Sequence, residues 1–353
     1  MLASRCDPAR SAGGIEAFIA ELAPRLRELH PEWNVTPIYA FVRAHGWNKI
    51  PFLCDVVAGV RLWRLARSAD VVIVNGAEYV WLMAFDPAFR SKTLVVWHGT
   101  RAFEIPALTP KMSLPVSIYW TLERWLQGFA FRFARHVAVA PSVVDEIRTT
   151  YRRAPAIKVV INGAPSLAAA PDLAARGNAF VVVWSGTNAY KKGLDLAVAA
   201  CREARIRIPQ LELHVFGMPR DPALDAEWIA WHGLQPRPVA LAAVAGADAY
   251  LATTRYEACS IAVLEALALG TPIVGSPAIA WMLDEVGIAV ADYAPRSFAA
   301  ALATLPSQTQ SRSERIARAR STLARFDWND AAKAYAGTIQ DVLAAASNRS
   351  SHA

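Results

Sequence analysis

The sequence has few charges, few cysteines and no long apolar run. Only 19% of its 353 residues are charged and 54% are hydrophobic, a low polar share for a freely soluble surface. Its cysteines, Cys6, Cys54, Cys201 and Cys259, are widely scattered, with no C-x-x-C and no histidine cluster beside them. That spacing argues against a zinc site and a disulfide framework and for a reducing cytosol. No apolar stretch reaches the ~18 residues that read as a spanning helix. The opening Met1-Leu2-Ala3-Ser4-Arg5-Cys6-Asp7 turns polar too early for a signal-peptide core. The dinucleotide fingerprint G-x-G-x-x-G is also missing, which counts against a nicotinamide-dependent oxidoreductase. The expected location is cytoplasmic, or peripheral on the inner face of the plasma membrane.

What is present is ample core and an uneven charge. The chain is long enough for two domains, each with its own core. Residues 1–165 carry 20 Lys and Arg against 13 Asp and Glu, which accounts for the whole net charge of +7. A basic half in a chain with 12 tryptophans points to an anionic surface or substrate, such as lipid head groups or nucleic acid.

Short β-branched runs alternate with helical stretches. Val71–Val74, Leu94–Trp97, Val137–Val139 and Lys158–Ile161 read as strands, separated by helical patterns such as Glu16–Leu29 and Ser117–Phe133. The second half repeats the order with strands at Phe180–Trp184, Leu211–Phe216, Ala249–Leu251 and Ile273–Val274, and a helix at Leu194–Arg205. Such alternation implies α/β domains with parallel sheets covered on both faces. The expected division is a first domain at 1–165, an Ala- and Pro-rich linker at 166–177, a second domain at 178–327, a helix at 328–344 and a disordered tail at 345–353. Only Met1-Leu2-Ala3 precede the first polar loop, so the first strand reads as truncated, or as beginning upstream of Met1.

The densest motif is Arg255-Tyr256-Glu257-Ala258-Cys259-Ser260-Ile261-Ala262-Val263-Leu264-Glu265-Ala266, ending at Gly270-Thr271-Pro272. Ser260 is a natural N-cap and Gly270 with Pro272 a natural stop, so Glu257 precedes a helix start and Glu265 lies about one turn inside. The amides at Cys259 and Ser260 then have no helical partner and present a phosphate site. Either glutamate alone reads as a solvated residue. A carboxylate within the apolar stretch around Glu265 needs a partner, however, and carboxylates flanking a phosphate site suit sugar hydroxyls.

This segment resembles the E-x7-E signature of retaining glycosyltransferases of family 4. The match runs through Arg255, Tyr256, Glu257, Leu264, Glu265, Ala266, Ala268, Gly270, Pro272 and Val274, with Ala258-Cys259-Ser260 where the family usually has Gly-Phe-Gly. The resemblance implies the GT-B architecture, two Rossmann-like domains facing an interdomain cleft, with the final helix crossing back to the first domain. It gives Glu257 the donor sugar hydroxyls and Glu265 the ribose.

Further pieces acquire roles by the same resemblance. Gly13 and Gly14 occupy the glycine loop that faces the donor diphosphate; on spacing alone they read equally well as a turn. Gly186 and Lys192, in Ser185-Gly186-Thr187 and Lys191-Lys192-Gly193, match the family's phosphate clamp, with Lys192 as the diphosphate lysine. Thr187 stands where the clamp arginine belongs, so Lys191 or Arg255 would have to supply that charge. His98, before Gly99 at a strand end, matches the family's donor-sugar histidine. Asn162-Gly163 reads as a turn.

The implied function is a retaining, metal-independent glycosyltransferase that moves a hexose from a nucleoside-diphosphate sugar to a glycan or lipid-linked acceptor in cell-surface polysaccharide synthesis. The nucleotide sugar is a co-substrate, and no cofactor, metal or nucleic acid is expected. A GT-B protein that binds a nucleotide sugar without catalysis and a GT-B epimerase stand as alternatives. The aromatic, arginine-containing stretch Ile118–Arg135 reads either as a core helix or as a peripheral contact of the basic first domain with anionic membrane.

Overall fold

In a computed structural model of the chain, the described residues are 1–6, 14–41, 51–76, 86–108, 114–131, 133–151, 156–164, 178–308 and 310–350. Gly13 and the expected linker 166–177 lie outside them. The chain divides into two compact units. The first comprises Met1–Ile105, Lys111–Gly163 and Asp327–Ala353; the second comprises Pro106–Pro110 and Ala164–Phe326.

The first unit holds a six-stranded parallel sheet of β1 (Leu2–Cys6), β2 (Pro37–Phe41), β3 (Val72–Asn75), β4 (Thr93–Trp97), β5 (Arg135–Ala138) and β6 (Lys158–Val159), in the order β2-β1-β3-β4-β5-β6. Every residue of β3 and β4 is buried, as expected of strands covered on both faces. Helices α1 (Gly14–Leu29), α2 (Pro51–Ala66), α3 (Pro87–Ser91), α4 (Arg101–Leu108), α5 (Leu114–Ala130) and α6 (Pro141–Thr150) follow the strands. Asp86 shows how one of them starts: its carboxylate accepts from the Ala88 and Phe89 amides, and Pro87 supplies the first helical position.

The second unit repeats the plan. Strands β7 (Phe180–Ser185), β8 (Leu211–Phe216), β9 (Ile229–Gly233), β10 (Ala249–Ala252), β11 (Ile273–Gly275) and β12 (Ile288–Ala289) form a parallel sheet in the order β12-β11-β10-β7-β8-β9. Between them run α7 (Ala189–Lys192), α8 (Leu194–Ala204), α9 (Arg237–Gly246), α10 (Ile261–Ala268), α11 (Ala280–Leu283), α12 (Pro295–Leu302) and α13 (Arg312–Leu323). Its core joins Trp184, Leu213, Leu251 and Phe298. The order reverses between β7 and β10, so the loops after these two strands open the crevice where doubly wound sheets bind ligands.

The last helix, α14 (Trp328–Ser350), belongs to the first unit. The Phe18 ring of α1 lies 5.9 Å from that of Trp328 and 5.5 Å from that of Tyr335. Gly163 seats this helix, because a Cβ there would come within 2.3 Å of Trp328 Cγ. Its glycine is demanded by packing rather than by a turn.

The first strand runs five residues to Cys6, past the apolar Leu2-Ala3, pairing with β2 as far as Cys6 and with β3 at Leu2 and Ala3. The tail expected from residue 345 is helical to Ser350, because Ala344-Ala345-Ala346 extend the helix and no glycine or proline stops it.

Candidate active site

The switch point of the second unit carries the motif residues. After β7 the chain passes through Gly186 and the one-turn helix α7, which Asn188 caps by accepting from the Lys191 amide at 2.8 Å. Lys191 and Lys192 therefore sit at the C-terminal end of a short helix, where a cation is favoured. Gly193, with φ +69°, turns the chain into α8. A Cβ there would stand 2.2 Å from the Thr253 carbonyl oxygen, so only glycine permits this junction. The Thr253 hydroxyl donates to the Gly193 carbonyl at 2.7 Å, tying the end of β10 to the lysine turn.

This junction brings Lys192 and Glu257 together, separated by 65 residues: the Lys192 ammonium donates to a Glu257 carboxylate oxygen. Both side chains are half-buried, and Gly186 packs against the lysine stem, where a Cβ would meet Lys192 Cγ at 2.8 Å. Gly217, which the sequence reading did not single out, has φ +88° and would place a Cβ 2.4 Å from the Gly186 carbonyl oxygen. Two glycines on neighbouring strand ends thus let the backbone close up beneath the lysine.

Glu265 has the partner its apolar helix required. Arg237, at the start of α9, donates Nε to Glu265 Oε1 at 2.8 Å. The pair borders a small cavity of about 40 Å³ lined also by Ser185, Phe216 and Tyr250. Ser185 Oγ and Tyr250 OH are hydrogen-bonded at 2.8 Å. Burial, with the charges of Glu265 and Glu257 nearby, raises the Tyr250 pKa, so the phenol stays protonated. Nothing in the local sequence Leu234-Gln235-Pro236-Arg237 marks this arginine. Its signal is the fold, which sets α9 beside α10.

Of the two cations expected to replace the clamp arginine, Arg255 is committed elsewhere. Its guanidinium makes two bonds to Asp195 of α8, at 2.8 and 2.6 Å. It also lies 4.2 Å from the Tyr190 ring centroid, and the Asp195 bond holds its pKa above the usual value. Lys191 Nζ sits 5.3 Å over the Tyr256 ring. Thr187 is exposed.

Cys259 and Ser260 are buried just before α10. Ser260 holds the N-cap position, but its side chain makes no capping bond. Its amide, read from sequence as having no partner, faces the Met282 sulfur at 3.4 Å, a weak acceptor.

In the first unit, His98 follows β4. Its Nε2 is 2.9 Å from Asn75 Oδ1 at the end of β3, and its ring meets Phe18 edge-on at 5.2 Å. Desolvation lowers its pKa to about 4, against a smaller opposing pull from Glu104, so the imidazole is neutral near pH 7. Gly14 is the exposed first residue of α1, and a Cβ there would meet nothing within 4 Å. Packing among the described residues gives no reason for glycine at this position.

Comparison with known proteins finds a family match over the second unit and a fold likeness over the chain. Residues 179–308 match the family model of the glycosyl transferases group 1. Sucrose-phosphate synthase from Thermosynechococcus elongatus is similar in structure, with TM-score 0.73 and 16% identity over 98% of both chains. WaaG, a glycosyltransferase involved in lipopolysaccharide biosynthesis, gives TM-score 0.71 and 13% identity over 96% of this chain and 98% of its own. The α,α-trehalose 6-phosphate synthase of Burkholderia multivorans gives 0.60 and 16% over 93% of this chain and 82% of its own. No curated protein sequence is significantly similar. At these identities the structural likeness establishes the GT-B fold.

Proposed function

We propose that this chain, with the GT-B fold and a group 1 glycosyltransferase region at residues 179–308, is a retaining hexosyltransferase. It would move a sugar from a nucleoside diphosphate to a glycan or lipid-linked acceptor in cell-surface polysaccharide synthesis. The observation that carries this reading is the pairing of each motif glutamate with a cation at the switch point, Glu257 with Lys192 and Glu265 with Arg237.

The chemical difficulty is the charge that builds on the departing diphosphate. Lys192 answers it: an arriving diphosphate is a stronger anion than one carboxylate and draws the ammonium to itself. Glu257, released from Lys192, turns to the hydroxyls of the donor sugar. Glu265 takes the ribose hydroxyls in place of Arg237. The amides at Cys259 and Ser260 contribute to the phosphate cradle of the second unit, and Gly186 gives the backbone room to approach. In the first unit, Asn75 fixes one ring nitrogen of neutral His98, which leaves the other to hydrogen-bond a sugar hydroxyl. The acceptor hydroxyl attacks from the face the diphosphate leaves, and a diphosphate oxygen takes its proton. No protein nucleophile and no metal is called for.

A second reading, a nucleotide-sugar binder without turnover, is favoured by one observation: Thr187 stands at the clamp position while Arg255 is held by Asp195. Calorimetry with UDP-, GDP- and ADP-sugars, followed by transfer and hydrolysis assays, separates the two. Saturable binding with transfer supports the enzyme, and binding without either reaction supports the second reading. If Lys192→Ala and Glu265→Ala both left donor affinity unchanged, both readings would fail.

A further inference from the structure

Helix α5 is turned inside out. Along Leu114–Ala130 the polar Glu123 and Gln127 are both 3% exposed, while Leu114 is 74% exposed, Ile118 61%, Leu122 41% and Trp125 65%. A surface helix of a soluble domain normally does the reverse. The orientation is fixed from within. The Tyr151 hydroxyl donates to the Arg124 carbonyl at 3.0 Å and to Gln127 Oε1 at 3.2 Å. Gly128 lies against the Tyr151 ring, where a Cβ would meet Cδ1 at 2.9 Å.

The outward residues fall at i, i+4, i+8 and i+11, one face about 17 Å long at 1.5 Å per residue. The Trp125 ring stacks on Phe129 at 5.9 Å, and Phe129 meets Phe133 at 4.6 Å. The Arg90 guanidinium lies 4.5 Å over Phe133, closing the row with a cation. Residues 111–135 contain four Lys and Arg against a single acid, Glu123, and that acid is on the buried side. Exposed Arg124 therefore borders the apolar row on the same helix.

We infer that this face of α5 docks the first unit on a membrane carrying anionic head groups, with Leu114, Ile118, Leu122 and Trp125 entering the interface and the arginines meeting phosphate. No helix among the described residues is long and apolar enough to cross a membrane, so the association lies on the surface. It combines apolar insertion with lipid charge, the two signals that stable peripheral binding requires. Charge complementarity selects this occupant: the net +7 of residues 1–165 opposes stacking two copies face to face. The inference does not rest on the transferase reading, although a lipid-linked acceptor would be delivered at the same surface.

Flotation of the full chain with phosphatidylglycerol–phosphatidylcholine vesicles tests it without any turnover. Wild type floats with anionic vesicles, stays behind with pure phosphatidylcholine, and is released by raising salt. The doubly substituted Ile118→Glu/Trp125→Glu loses at least ten-fold in vesicle partition at an unchanged thermal transition, and Arg124→Glu loses a smaller share. Absence of flotation by wild type overturns the inference, as does flotation of the double variant at the wild-type level. A wild-type dimer in sedimentation that the double variant dissolves, with no vesicle binding, assigns the face to a second copy and also overturns it.

Discussion

Arg237 Nε lies 2.8 Å from Glu265 Oε1, so a carboxylate inside the most apolar helix of the second unit is answered by a cation 28 residues earlier. The glutamate side chain is 14% exposed and the arginine 54%. Solvent around the arginine limits the pair to about 0.5–1 kcal/mol. Arg237→Ala is expected to lower stability in urea by that amount and to make it less sensitive to salt. Glu265→Ala is expected to weaken nucleotide-sugar binding by about ten-fold or more through lost ribose hydrogen bonds, measured by calorimetry.

Lys192 gives the sharper test of the phosphate role. Lys192→Met keeps the stem that packs against Gly186 but removes the charge, so the fold should persist with an uncompensated Glu257. Donor affinity is expected to fall by about 1.5–3 kcal/mol, the range of a charged hydrogen bond, or roughly 10- to 150-fold. A Glu257→Gln variant should instead bind the free nucleoside diphosphate at least as well as wild type, because Lys192 is no longer held back. Equal losses for both ligands in both variants would contradict the exchange of partners.

Gly193→Ala separates backbone need from chemistry. The left-handed conformation alone costs about 1–2 kcal/mol for a residue with a Cβ, and the fixed Thr253 carbonyl leaves no room for one. The expected result is a melting temperature lower by at least about 4 °C, taking 2–4 °C per kcal/mol for a unit of this size. Gly14→Ala is the contrast. Its Cβ meets no atom within 4 Å, so stability should hold and any loss should appear in donor binding.

The parts of this protein that were legible in its sequence are those written in local pattern. The alternating strand β8 was read to its observed ends, as was the start of α10 at Ile261, because hydrophobic alternation and helix-forming runs act within a few residues. β2 and β9 were missed: one opens on a proline, and the other, Ile-Ala-Trp-His-Gly, lacks an apolar run. The pairing of Lys192 with Glu257 and of Arg255 with Asp195 joins residues 65 and 60 apart. Which cation meets which acid depends on strand order, and strand order is not a local property. The inverted face of α5 was unreadable for the same reason, since its apolar positions fit a core helix equally well until Tyr151 fixes which side turns inward.

Two desolvated imidazoles give the pH dependence. Desolvation lowers the pKa of His98 and of His136 to about 4 each, below the ordinary ~6.5. Smaller opposing effects come from the Glu104 charge at His98 and the Ala130 backbone at His136. The native state therefore binds fewer protons than the unfolded chain between these values, and stability rises with pH there. The contribution is fully present above about pH 6.5, is lost progressively as pH falls, and reaches its full loss below about pH 4. His136 has the added constraint that its Nδ1 accepts from the Trp97 indole at 3.0 Å, which a protonated ring cannot do. Urea midpoints measured from pH 7.5 to 4.5 should fall steadily below 6.5. His98→Gln keeps an amide for Asn75 and cannot titrate, so it should remove its own share of the slope while leaving the share of His136. A slope unchanged by that substitution would mean the His98 ring is hydrated enough to titrate normally.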